Sequence, residues 1–196
     1  NLKFDFEGIN EVRRKFFGTL FNTYNFFALY ANLDNYKYDK NKTSIKLTEL
    51  DSWILSRLNS LIKDVERDFN DYEPTKAARE IQSFVINDLS NWYVRLSRKR
   101  FWKGVFNEEK KAAYDTLFVC LKEISIMMSP IAPFYSDMLY EDLCSTEDSV
   151  HLSLFPKHDN NLISGGLEYK MALAQKVSSL ILSIRKKTKI KVRQPL

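Results

Sequence analysis

Residues 91–102 read NWYVRLSRKRFW. Arg95, Arg98, Lys99 and Arg100 fall within six consecutive positions, Lys103 follows, and no acid interrupts them. The aromatic residues form two groups, Trp92 with Tyr93 and Phe101 with Trp102. Cations so placed can neutralise phosphates, and rings projected from a basic rim can take unstacked bases, at about 1–3 kcal/mol per base. Trp92 continues an apolar stripe at helical spacing and is expected in the core. Phe101 and Trp102 stand beyond that register, so they are expected either on the rim or folded back as a cap on the helix end. Both readings fit the pattern.

Elsewhere the residues that carry catalytic chemistry are scattered. There is no Gly-rich phosphate loop, no GxSxG and no cluster of His, Asp or Glu at metal-binding spacing. His151 and His158 flank a proline-bearing extended stretch with none of the partners a working base needs. Cys120 falls on the apolar face of its segment, and neither it nor Cys144 belongs to a CxxC pair. No catalytic residue and no metal ligand is assigned. Two further basic groups, Arg13–Lys15 and the series Arg185, Lys186, Lys187, Lys189, Lys191 and Arg193, read as solvated faces. Cations are also favoured near helix C-termini by the macrodipole.

The elements that must position these residues are helical. Only 5 Gly and 5 Pro occur in 196 residues, too few for the many turns of a sandwich or barrel. Val12, Phe16, Leu20, Tyr24, Phe27 and Ala31 recur at spacings of three and four and predict a helix over about 9–33. Thr48 and Asp51 resemble a capping box opening a second helix with its stripe on Leu50, Ile54, Leu58, Leu61, Val65 and Phe69. Pro74 suits the first turn of a third, whose expected buried face is Ala78, Ile81, Val85, Leu89, Trp92 and Leu96. Asn107 with Glu108 and Glu109 opens a fourth, running to Met128. After SPIAPF comes a short helix to about Leu143, and a last helix is expected over 167–187. At most a scrap of strand is expected near Val150–Leu154. The fold class is all-α, an antiparallel bundle of five or six helices.

The formal charge of +5 is compatible with a polyanionic partner without proving one. Two cysteines without a pairing pattern point to a reducing, cytoplasmic setting, and no apolar run reaches the roughly 18 residues of a membrane span. The chain opens on Asn1 and stops at RQPL, so it reads as a piece of something longer.

Several segments resemble class Ia aminoacyl-tRNA synthetases. NWYVRLSRKRFW is similar to the third bundle helix of that family, and its SRKRFW ending to the isoleucyl members. FNTYNFFALYAN resembles the first helix of the anticodon-binding domain and LDSWILSRLNSLI the second. MSPIAPFYSDMLYEDL, the following SVHL…FP element and the terminal IKVRQPL agree as well, the last favouring the isoleucyl group. The HIGH and KMSKS motifs of the catalytic region are absent.

The resemblance implies a bundle of the class Ia synthetase anticodon-binding type over 1–164, with 165–196 as the last helix and the start of a C-terminal junction region. It implies a monomer whose partner is the isoleucine tRNA, held by its anticodon stem and loop. No cofactor is implied for this stretch; ATP and Mg²⁺ belong to the whole synthetase, which attaches isoleucine to its tRNA. Trp102 resembles a methionyl-enzyme Trp that stacks on an anticodon base. Asn22 and Asn25 resemble positions that reach such bases, although plain surface amides would look the same. The expected tRNA-binding set is therefore Asn22, Asn25, Arg95, Arg98, Lys99, Arg100, Phe101, Trp102 and Lys103. The rivals are a valyl or other class Ia domain, and a helical protein-interaction module with an incidental basic rim.

Overall fold

The computed structural model describes residues 5–39, 46–144, 149–192 and 194. Helix α1 (Phe6–Val12) is opened by Asp5, whose carboxylate accepts the Glu7 N–H at 3.0 Å. It runs through a π segment, Arg13–Phe17, into α2 (Gly18–Leu33). Phe16, Leu20, Phe27 and Ala31 are buried as the stripe requires, Tyr24 is half-buried and Val12 is exposed.

The expected caps form. Thr48 Oγ1 accepts the Asp51 N–H at 3.3 Å and the Asp51 carboxylate accepts the Thr48 N–H at 2.9 Å, a complete capping box on α3 (Glu49–Asn70). Pro74 stands at the first turn of α4 (Pro74–Ser83), which continues through a second π segment, Phe84–Val94, into α5 (Arg95–Trp102). The Asn107 side chain accepts the Lys110 N–H at 2.8 Å and opens α6 (Glu108–Met128). Helices α7 (Pro133–Leu143) and α8 (Gly165–Lys187) follow.

The chain divides into two compact units, Asn1–Ile163 and Ser164–Leu196. In the first unit α6 is central. Helices α2, α3, α4, α5 and α7 all pack on it, and 15 of its 21 residues are buried, Cys120 among them. The second unit is α8 with the residues after it. The Arg185 guanidinium donates to the carbonyls of Lys191 and Gln194 at 2.8 and 2.9 Å, so one expected surface cation instead ties down the chain beyond the helix. Arg193, Pro195 and Leu196 lie outside the described residues.

Where at most a scrap of strand was expected, Val150–Leu152 forms a short 3₁₀ turn. Asp137 on α7 accepts from Ser149 Oγ at 2.6 Å and from the Val150 N–H at 2.9 Å while the Val150 side chain is buried, so the backbone is satisfied without a strand partner.

One expectation is corrected, and it concerns register. In an unbroken α-helix Trp92 would lie about 20° from Ile81 around the axis and Phe101 about 200° away. The wider turns of the eleven-residue π segment retard that phase. Ile81, Val85 and Leu89 are buried as expected, but Tyr93, Val94, Ser97 and Phe101 continue the face. Trp92 is half-buried and Leu96 is exposed.

Candidate nucleic-acid interface

The shift of phase decides what the basic segment presents. Phe101 is fully buried, with its ring edge-on to Phe26 at 5.1 Å and to Tyr114 at 5.0 Å. It is a core residue, and its expected place on the rim is corrected. Trp102, the next residue, ends α5 and is 56% exposed. Of the two rings that follow the cations, one therefore locks the helix end and the other is displayed.

Arg100 is also drawn inward. Its guanidinium grips Asp51 with two bonds of 2.8 Å and donates to the Glu109 carbonyl at 2.9 Å, leaving its side chain 14% exposed. The Asp51 carboxylate also accepts the Tyr93 hydroxyl at 2.7 Å and the Thr48 hydroxyl at 2.7 Å. Burial alone pushes this carboxyl up, and the bonds from Arg100, Thr48 and Tyr93 more than reverse that, holding it below the usual carboxylate range. A guanidinium so committed cannot also clamp a phosphate, so Arg100 is corrected from a binding residue to a structural one.

The remaining cations lie at the surface. Arg95, Arg98, Lys99 and Lys103 are exposed. The Arg98 guanidinium sits over the Phe26 ring, 5.8 Å from its centre, a cation–π contact that fixes its direction without burying it. Between α2 and the helix carrying these cations runs a cleft of about 270 Å³, lined by Asn22, Thr23, Phe26, Ser90, Asn91, Val94, Arg95 and Arg98. Asn22 is thus brought together with two of the expected cations, while Asn25 is exposed on the same helix outside that lining. A second hollow of about 220 Å³ is lined by Lys99, Arg100, Lys103, Asn107, Glu109 and Lys110. Lys110 is not available there, since its ammonium pairs with Asp34 at 2.6 Å in a nearly buried contact.

Ser90 and Asn91 were missed by sequence reasoning. On the α-helical phase that includes Trp92 as core, their place beside Asn22 cannot be seen; the π turns bring them to the cleft. No local signal marks them, because the contacts that accompany this phase, Tyr93 and Arg100 on Asp51, reach 42 and 49 positions along the chain.

A face with amides, oriented cations and one displayed ring can hold a phosphate backbone and take unpaired bases. Comparison with known proteins is consistent with this chemistry. The family described as the anticodon-binding domain of tRNA ligase matches residues 51–196. The isoleucine–tRNA ligase of Porphyromonas gingivalis is 54% identical over 197 residues, covering 100% of this chain and 17% of that protein. That of Cytophaga hutchinsonii is 56% identical over 202 residues, with 100% and 18% covered. That of Dehalococcoides mccartyi is 44% identical over 193 residues, with 96% and 19% covered. The chain spans less than a fifth of the length of these curated relatives.

Proposed function

Because this chain belongs to the family of anticodon-binding domains of tRNA ligases, we propose that the face formed by α2 and α5 holds the anticodon stem and loop of a tRNA. The observation that carries the reading is the cleft lined by Asn22 on α2 and by Asn91, Arg95 and Arg98 on the opposing helix, which ends in the exposed Trp102. Exposed Arg95, Arg98, Lys99 and Lys103 supply backbone neutralisation, Asn22, Asn25 and Asn91 supply donors and acceptors for base edges, and Trp102 supplies a stacking surface. Recognition, not bond-making, is the task of this unit.

The parent protein is an isoleucine–tRNA ligase on this reading, a cytoplasmic enzyme that activates isoleucine with ATP and Mg²⁺ and esterifies its tRNA. High identity to proteins of that name along the whole chain supports isoleucine over valine. No helix among the described residues is long and apolar enough to cross a membrane. The isolated chain works as a monomer, and its last unit from about residue 165 leads into the junction region of the parent.

Binding isotherms with isoleucine tRNA and an anticodon-swapped copy, each at two salt concentrations, test the reading. The native tRNA should bind more tightly at both. Equal affinity for the two RNAs would remove anticodon reading, and competition won by valine tRNA would move the chain to that branch of the family. Salt-insensitive binding to a protein in place of RNA would favour the interaction-module rival.

A further inference from the structure

The connection between α5 and α6 is anchored at both ends on one residue. Phe101 packs edge-on against Tyr114 at 5.0 Å, and Phe106 lies nearly parallel to the same ring, 27° and 6.1 Å away. Tyr114 is fully buried, and its hydroxyl donates to the Asp34 carboxylate at 2.6 Å, which Lys110 also holds. Tyr36 stacks on Tyr114 at 4.8 Å and donates to Asp115 at 2.6 Å, so the anchor is itself tied to α2 and α6. The four residues between, Trp102 to Val105, are held out as a short tip.

That tip is built for display. Gly104 has φ +77°, a left-handed conformation that residues with a Cβ rarely adopt, and open space surrounds it. Trp102 is 56% exposed, Val105 87% and Phe106 42%, and the exposed Lys99 and Lys103 stand within three positions of Trp102 in the chain. Apolar side chains exposed together normally mark a binding surface. Here cations accompany them, and the tip follows directly on the helix that carries the face proposed to hold RNA. Phe106 lies offset from Tyr114 and tilted by 48° to Tyr36 at 6.5 Å, while 42% of it stays exposed, so a base placed on its exposed side would extend an aromatic cluster the protein has pre-ordered.

Resting on the anticodon-loop reading, we infer that Phe106 is a second base-stacking residue, and that the 102–106 tip engages two unstacked loop nucleotides, one on Trp102 and one on Phe106. The ligand chemistry is a flat heterocycle on a single-stranded RNA segment, with Lys103 near the connecting phosphate.

The test uses the 196-residue chain and a set of stem–loops carrying the isoleucine anticodon, each with one loop nucleotide replaced by fluorescent 2-aminopurine. Phe106→Leu keeps apolar bulk against Tyr114 and removes the ring; Phe106→Tyr keeps the ring. With Phe106→Leu, quenching at one loop position should be lost and affinity should fall about tenfold, the size of one stacking contact. Phe106→Tyr should restore both. Trp102→Leu should abolish quenching at a different position. If the wild-type chain binds and quenches but Phe106→Leu does the same, or loses affinity with every quench intact, the inference is overturned while the anticodon reading stands. If the wild-type chain does not bind the stem–loop, both fall together.

Discussion

Residues that adjoin in sequence do opposite work at the end of α5. Phe101 is buried and Trp102 is displayed. Phe101→Ala should cost about 3–5 kcal/mol of folding stability, as large core truncations do. Trp102→Ala should leave stability nearly unchanged and weaken RNA binding by about 1–3 kcal/mol. Urea denaturation and a binding isotherm on each variant separate the two, and exchanged phenotypes would refute the placement. The ion pair of Asp51 and Arg100 carries a pH signature. Because the folded carboxyl is held below its ordinary value, its contribution is complete above about pH 3.9, the unfolded value, and is lost as pH falls through the lower folded value. Asp51→Asn should therefore flatten the acid limb of the stability profile. It should also cost about 3–5 kcal/mol at neutral pH, since Arg100 stays partly buried without its countercharge. Denaturation midpoints measured from pH 2.5 to 7 would show both effects, and an unchanged acid limb would mean that other carboxylates dominate it.

At the scale of the element, the π segment Phe84–Val94 sets which side of a basic helix reaches the surface. Without it, Phe101 would face away from the core and Trp92 would enter it. The two arrangements predict opposite rankings for neighbouring aromatics. With the π turns present, Tyr93→Ala should destabilise by at least about 2 kcal/mol more than Trp92→Ala, although tryptophan is the larger side chain, because truncation costs most where no solvent or slack remains. Tyr93 also satisfies Asp51 at 2.7 Å, so its loss leaves a buried acceptor short of a donor. Thermal or chemical denaturation of the two variants decides the matter. A larger loss from Trp92→Ala would mean the helix runs in α register.

For the molecule as a whole, the proposed anticodon-loop reading assigns affinity and specificity to different residues. Lys99→Ala and Lys103→Ala should each weaken binding to native and anticodon-swapped tRNA alike, and each should lower the slope of log affinity against log salt by about 0.7–0.9, as one fewer counterion is released. Asn22→Ala or Asn91→Ala should narrow the difference between the two RNAs while leaving that slope alone. The chain alone should form no aminoacyl-tRNA, since it contains neither HIGH nor KMSKS, and a labelled-isoleucine assay checks this. Its affinity should be modest, because contacts elsewhere on the tRNA add avidity only when they share one polypeptide.

The sequence by itself determined what local chemistry can determine. Thr48 with Asp51, Pro74 and Asn107 mark helix starts because a cap is settled within three or four residues, and the structure places α3, α4 and α6 on those marks. Spacings of three and four defined the buried faces of α2 and α3, and the motifs carried the family likeness across nearly the whole chain. The phase of α5 was beyond that reach. It depends on Tyr93 meeting Asp51 across 42 positions of sequence, on Arg100 meeting Asp51 across 49, and on Phe101 closing on Tyr114. A window read at 3.6 residues per turn assumes regular hydrogen bonding, whereas the π turns shift the phase and the buried contacts that accompany it lie far off in the chain. The same long-range contacts withdrew Phe101 and Arg100 from the surface, left Trp102 on it, and brought Asn91 beside Asn22.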